Sequence, residues 1–245
     1  MARTNTLGNF LTDVANAIRT AEGSSDVILA SDFDTRIEAL SGGGGLDWSV
    51  IGYDSIPQSI INDYNYSKNI YDNWDATQQD LSSKFQSNNN LVYMPLVDTS
   101  NATTVNNMFY ECTNLTSIPL LNFSNVTSGN YLFYNCSKLE AIPQFNTTNF
   151  ATMGDMFRLC INLKTVPVLN TSNLTNANSM RRMFTNCTSL SDESLNNILA
   201  MCINATSYVG TKTLAQLGIT ATTLIDKVPT LSNYQAFINA GWTIQ

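Results

Sequence analysis

Met108-Phe109-Tyr110-Glu111-Cys112-Thr113-Asn114-Leu115-Thr116-Ser117-Ile118-Pro119 is a phrase that the chain repeats. Leu132-Phe133, Cys136, Leu139, Ile142 and Pro143 return it, and Met156-Phe157, Cys160, Leu163, Val166 and Pro167 return it again at the same step. One step before the first copy lie Phe85, Asn88, Leu91, Met94 and Pro95, so the array starts ahead of its cysteines. A last copy, Met183-Phe184, Cys187 and Leu190, follows after a step lengthened by three and lacks the proline. A fixed period of this size, from Phe85 through Phe109 and Phe133 to Phe157, predicts a repeat solenoid over residues 85–190. Each unit of such a stack buries its apolar face only against its neighbours.

Inside each repeat, apolar residues step by three: Leu115, Ile118, Leu121; Leu139, Ile142, Phe145; Leu163, Val166, Leu169. Each proline follows the middle one, where a short, irregular strand tolerates a missing N–H. Four of the five cysteines keep the repeat register, and equivalent positions of stacked coils point the same way. They read as reduced, buried ladder residues. With no histidine and such wide spacing, a zinc site is not expected. Asn101, Asn125, Asn149 and Asn173 also hold register, and stacked amides can hydrogen-bond from coil to coil and to turn backbone. The alternative is an exposed amide row that binds sugar.

Outward from the repeats, residues 46–84 are aromatic-rich, and Ile60, Ile61, Tyr64, Tyr71 and Trp74 keep helical spacing. This segment is expected to cap the open end of the stack. Residues 191–245 are expected to cap the other end. Ser191, Asp192 and Glu193 open a helix carrying Leu195, Ile198, Leu199 and Cys202, and a short helix runs from Ser232 towards Gly241. Residues 1–41 read as two helices, the second opening at Ser31 with Asp34 three residues on. Gly42–Gly45 then reads as a flexible linker.

Only 13% of residues are charged and the net charge is -7, which argues against a nucleic-acid or anionic-membrane partner. The opening stretch has an apolar stripe of Leu7, Phe10, Leu11, Val14 and Ile18, unlike the continuous core of a secretory signal or membrane span. That stripe either packs on the second helix or forms an attachment and oligomerisation surface. No catalytic constellation and no cofactor are expected. Histidine-based activation is absent, and Asp192 with Glu193 suits a helix start. Two candidate ligand surfaces remain. Arg181 and Arg182 lie in the lengthened last repeat, read as a bulging loop, and Thr116, Glu140 and Lys164 form a varied column after each leucine.

The phrase Met-Phe-x-x-Cys-x-x-Leu-x-x-Ile-Pro, followed by Asn-x-Ser/Thr-Asn, resembles the BspA-type leucine-rich repeats of bacterial surface proteins and of bacteriophage tail and fibre proteins. Asn5 to Leu40, with Ser31-Asp32-Phe33-Asp34-Thr35-Arg36-Ile37 before the glycines, looks like the virion-attachment segment of phage fibre proteins. Ser191 to Cys202, and Asn233-Tyr234-Gln235-Ala236-Phe237 to Gly241-Trp242-Thr243, are similar to parts of repeat-bearing phage structural proteins. The resemblance implies a leucine-rich-repeat-like solenoid of short strands with irregular or helical turns, an α-helical N-terminal module before it and helical caps. It further implies a non-enzymatic fibre or appendage exposed on a phage particle and assembled in the host cytoplasm. Residues 1–41 would contact other virion proteins or build a homo-oligomer such as a trimer, and the repeats would meet a host-surface glycan or protein. A bacterial cell-surface adhesin is the alternative, and a glycan-cleaving virion enzyme a third.

Overall fold

A computed structural model describes Asn62, Tyr66, Ser67 and residues 69–244. The helices expected within residues 1–41, the Gly42–Gly45 linker, and Ile60, Ile61 and Tyr64 of the expected cap lie outside the described residues. The described chain divides into two compact units. One holds the described part of Met1–Trp74 with Val92–Val97, and the other holds Asp75–Leu91 and the chain from Asp98 onwards. In the first, residues 69–72 are helical and Ser67 Oγ donates to the Tyr93 carbonyl at 2.8 Å. The first repeat copy is thereby split, with Phe85, Asn88 and Leu91 in the second unit and Met94 and Pro95 in the first.

The second unit is built by a backbone that alternates its amides. Leu81, Ser83, Phe85 and Ser87 donate N–H to the carbonyls of Thr104, Asn106, Met108 and Tyr110, one coil on, at 2.7–3.1 Å. Lys84, Gln86 and Asn88, lying between, donate three residues back, to Leu81, Ser83 and Phe85. The same two sets recur at 105–112 and at 129–136. At 153–160 the outgoing bonds run to Ser179, Arg181, Met183 and Thr185, three positions farther along the chain than in the earlier coils. Every second amide thus needs the next coil, while its neighbours close tight turns. Buried amides rarely go without partners, so the turns and the stacking impose one another.

Within each turn, alternate residues among those that send an amide along the stack have left-handed backbone. Ser83, Asn107, Tyr131, Asp155 and Arg182 have φ between 53 and 58°, and so, four residues on, do Ser87, Glu111 and Asn135, with Leu159 and Asn186 at 67 and 63°. Such residues cost on the order of 1 kcal/mol apiece outside glycine, least for Asn and Asp. Inter-coil hydrogen bonds offset that cost at nine of the ten, from Ser83 through Arg182.

This arrangement corrects the expected leucine-rich-repeat-like solenoid of short strands. The described residues contain no β-strand and few helices. Parallel pairing survives as isolated bridges linking Asp80, Thr104, Ser128 and Thr152 in turn, with another between Ala141 and Thr165. The left-handed residues turn the chain every few positions. Pro119, Pro143 and Pro167 remove donors from the other half of each repeat, so neither half sustains a ladder.

Side chains repeat the backbone's register. The rings of Phe85, Phe109, Phe133, Phe157 and Phe184 form one buried column, with successive centroids 5.5–5.7 Å apart and planes within 16°. At that separation near-parallel rings are offset, the arrangement aromatic pairs prefer. All five cysteines are free and buried. The four in register do more than fill space: Cys112, Cys136, Cys160 and Cys187 donate S–H to the carbonyls of Phe85, Phe109, Phe133 and Phe157, at 2.9–3.1 Å. The expected amide ladder is present too. Asn101, Asn125, Asn149 and Asn173 donate Nδ2 to the carbonyls of Ala76, Ser100, Ser124 and Thr148, at 2.6–2.9 Å.

A second amide row, unanticipated from the sequence, braces the turns. Asn106 Oδ1 accepts from Asn130 N at 2.9 Å and Ser128 Oγ at 2.7 Å, and Asn130 Oδ1 accepts from Gly154 N at 2.8 Å and Thr152 Oγ1 at 2.6 Å. Gly154 ends the row because a Cβ there would lie 2.9 Å from the Asn178 carbonyl.

Helix α1 (Asp192–Asn204) closes part of the last coil. Ser191 caps it through Ser194 N, and Ser194 Oγ then bridges Lys164 O and Val166 N, both at 2.8 Å. Residues 216 and 217 accept the amides of Arg182 and Phe184, standing in for another coil. Gly218, at φ +85°, follows them against Thr185, where a Cβ would come within contact of Oγ1. Two short helices, α2 (Thr222–Ile225) and α3 (Tyr234–Asn239), complete the unit. Trp242 is buried between Tyr208 and Phe237.

The phenylalanine column supplies a direct test. Phe133 has stacked neighbours on both sides, so Phe133→Ala is expected to lose about 3–5 kcal/mol of stability in urea unfolding. Leu120→Ser, at an exposed position, should change it by less than about 0.5 kcal/mol.

Candidate functional site

Because the turns alternate, each coil holds Phe, Cys and Leu inside and turns a fixed pair of positions outward. One outward row is Asn107, Tyr131, Asp155 and Arg182, half-buried apart from the buried Asp155, and the other, one residue after each phenylalanine, is Tyr110, Tyr134, Arg158 and Thr185. Unlike the interior, these rows change chemistry from coil to coil.

Three tyrosines and two arginines from these rows meet on the turn face. The Tyr110 and Tyr134 rings stack with centroids 4.5 Å apart and planes 4° apart. Tyr131 sits edge-on to Tyr110 at 6.4 Å and tilted against Tyr134 at 6.0 Å. The Arg158 guanidinium lies 5.7 Å from the Tyr134 centroid, within cation–π range. All three tyrosines are half-buried.

Asp155 organises the cationic end. Its carboxylate is buried, and Arg182 Nη2 donates to Oδ2 at 3.1 Å while Arg158 Nη1 donates to Oδ1 at 3.3 Å. Arg182 Nε lies 3.0 Å from Oδ1, close enough for charge attraction although its N–H is not aligned as a hydrogen bond. Hydrogen bonding to Asp155 raises the Arg182 pKa, and Tyr131 adds to it. One carboxylate thus holds two guanidiniums, leaving this end positive on an acidic chain. At the other end, Glu111 accepts from Ser87 Oγ at 3.3 Å. Burial first, then the nearby Glu111 charge, raises the Tyr110 pKa, so its phenol keeps its proton.

The predicted site residues are distributed differently. Arg181 and Arg182, expected on a bulging loop, sit in the repeat register: Arg182 occupies the Asp155 position of the next coil, and the Arg181 carbonyl accepts the Asp155 amide at 2.9 Å. The three extra residues fall earlier, between Leu174 and Ser179, where the register lengthens. The Thr116, Glu140 and Lys164 column does not lie on a strand face, for the reason given above. Glu140 and Lys164 meet as an exposed ion pair at 3.0 Å, an arrangement of little energetic consequence, and Thr116 is half-buried. Leu7, Phe10, Leu11, Val14 and Ile18 lie outside the described residues.

Sequence reasoning misses Tyr110, Tyr131, Tyr134, Asp155 and Arg158. A signal exists in the position after each phenylalanine, which recurs at the same step as the phenylalanine itself. A shallow depression of about 370 Å³ is lined by Gln144, Asn146, Thr147, Thr148, Asn170 and Asn204 with apolar neighbours. Some of its polar groups already tie coils together, Gln144 Nε2 to Val168 O at 2.7 Å and Thr147 Oγ1 to Asn170 O at 3.2 Å.

The cysteines are poor nucleophiles. Burial pushes Cys112 and Cys187 up to about 12 from an ordinary 9.0, and Cys136, Cys160 and Cys202 are also raised by burial. Among the described residues no group of His, Cys, Asp or Glu could hold a metal ion, and no helix is long and apolar enough to cross a membrane.

The sequence matches the family described as "Mycoplasma protein of unknown function, DUF285" twice, over residues 55–160 and 116–209. No curated protein and no solved structure matches it.

The thiols predict a pH dependence. Between pH 9 and about 12 the folded chain retains protons that an unfolded chain has released, so stability present below pH 9 should fall as pH rises through that window, by at most about 1.4 kcal/mol per pH unit per thiol. Urea midpoints at pH 8 and 10.5 should therefore diverge less in a Cys112→Ala/Cys187→Ala double variant than in the parent. Iodoacetamide at pH 8 should leave all five cysteines unmodified in the native chain and alkylate them in denaturant.

Proposed function

The chain belongs to the DUF285 family of unknown function, and we propose that it is a non-enzymatic displayed protein whose turn face binds an external ligand. One observation carries the reading. Interior register positions repeat their chemistry, while the outward rows Asn107-Tyr131-Asp155-Arg182 and Tyr110-Tyr134-Arg158-Thr185 vary from coil to coil. A stack of this kind separates the residues that build from those free to recognise.

The setting we propose is a bacteriophage particle. Support comes from the similarity of Asn5 to Leu40, and of the two C-terminal stretches, to phage structural proteins. In this reading residues 1–41 attach a fibre or appendage, and the stack meets a glycan or protein on the host surface. The second reading, a bacterial cell-surface adhesin, draws on the Mycoplasma source in the family's description.

Gold-labelled antibody against residues 98–244 separates the two. The phage reading expects label on purified particles, and its loss from particles whose gene lacks codons 1–41. Label on intact bacterial cells, with none on particles, would replace the first reading by the second.

A further inference from the structure

We propose that the tyrosine and arginine face binds a carboxylate-bearing glycan lying along the stack, across the coils that contribute Tyr110, Tyr131, Tyr134, Arg158 and Arg182. This rests on the reading of the turn face as the contact surface and names the ligand that face would take.

The chemistry follows from which atoms remain available. Tyr110 and Tyr134 occupy each other's faces, and Arg158 lies over the Tyr134 ring. One face of Tyr110 and both faces of Tyr134 are therefore engaged, which disfavours stacking of flat ligands on Tyr134, nucleic-acid bases among them. Tyr110 already hydrogen-bonds Tyr134, and Tyr131 hydrogen-bonds Arg182, so the half-buried rings offer their edges and the remaining capacity of each phenol. A phenol both donates and accepts, matching a sugar hydroxyl. The Tyr110 phenol, paired with Tyr134, keeps oxygen lone-pair capacity for a sugar hydroxyl.

The arginines supply the second half of the match. Arg158 spends Nη1 on Asp155 and its Nε is buried, so a ligand would meet the exposed remainder of its guanidinium. The Arg158 and Arg182 side chains keep 29% and 37% of their surface exposed, against 6% for Asp155. An incoming carboxylate would meet guanidinium N–H groups rather than the shielded aspartate. Asp155 acts here as a positioning residue, holding two cations side by side in fixed orientation.

Spacing selects a chain over a single sugar. Register-equivalent groups recur once per coil, at the 4.5 Å separation of the Tyr110 and Tyr134 rings and the 5.5–5.7 Å separation of the phenylalanines beneath. That rise is comparable to one pyranose unit of an extended polysaccharide. Phenols and guanidiniums then succeed one another along one direction, as hydroxyls and carboxylates do along an acidic glycan.

The test is calorimetric titration of the full chain with oligogalacturonate and with a sialylated oligosaccharide, which distinguish uronate from sialate as the acid. Neutral dextran and poly-glutamate serve as comparisons. Binding of at least one acidic glycan is expected, with dextran silent. Arg158→Gln and Tyr134→Ala should each weaken it about tenfold or more. Tyr134→Leu, which keeps apolar bulk in the stack, replaces Tyr134→Ala if that variant melts early. Lys227→Gln, at an exposed residue outside both candidate surfaces, should bind as the parent does.

Equal binding of dextran, preference for poly-glutamate, or parental affinity in Arg158→Gln would overturn the proposal. So would weakening by Lys227→Gln alone, or silence with both acidic glycans. Adhesion of the parent chain to host cells, measured alongside, separates the two levels. If adhesion persists and Arg158→Gln leaves it intact, the ligand assignment fails while the displayed-binder reading stands; loss of all adhesion defeats the latter.

Discussion

In the turns at 81–87, 105–111, 129–135 and 153–159, every second backbone amide has its hydrogen-bond acceptor one coil away. Folding a single coil would leave those amides without partners in a buried setting, so no coil is satisfied until its neighbour is in place. The strict register follows, because a shift of one residue would exchange the amides that reach out with those that close turns. Left-handed backbone recurs with the register, at alternate residues among those that donate along the stack. The same constraint explains the carboxyl-terminal ending. Residues 216 and 217 accept amides from Arg182 and Phe184, and α1 brings Ser194 to the last exposed polar groups near Val166.

Each side-chain column reinforces this backbone pattern with a different kind of force. Phenylalanines contribute dispersion and apolar burial, thiols donate to phenylalanine carbonyls, and amides join turn to turn on two separate rows. Such redundancy leaves the interior little freedom to vary. The outward positions are not held to one residue type by these columns, and there the coils differ. Their differences are not all independent of structure, since Asp155 buries a carboxylate that Arg158 and Arg182 must compensate. Recognition chemistry and local stability are coupled at that one aspartate.

Much of the interior is legible in the sequence. A constant step in Phe, Cys, Leu and Asn identifies residues that face the same way, and the buried columns and the Asn101 to Asn173 ladder obey it. The helix opening at Ser191 is legible from its cap and acidic first turn, signals that act within four residues. The expected strands do not form, because apolar residues at steps of three, interrupted by proline, fit an irregular strand and a run of turns equally well. The difference lies in φ angles at Tyr131, Leu159 and Arg182, residue types that ordinarily avoid left-handed backbone and so give no warning. The arginine pair stands out in the sequence but not its place in the register, since a lengthened step shows that residues were added without showing where.

The sequence alone determined the period, the identity of the stacked residues and the acidic, histidine-free composition, because these are properties of order and count. Tertiary structure decided how the coils join and which outward residues converge. Asp155 and Arg182 lie a full coil apart along the chain, as do Tyr110 and Tyr134; only the pitch of the stack, set by alternating amides, turns those separations into contacts of 3.0 and 4.5 Å. A periodic sequence states which residues are equivalent, but the distance between equivalents is set by the backbone conformation that links them.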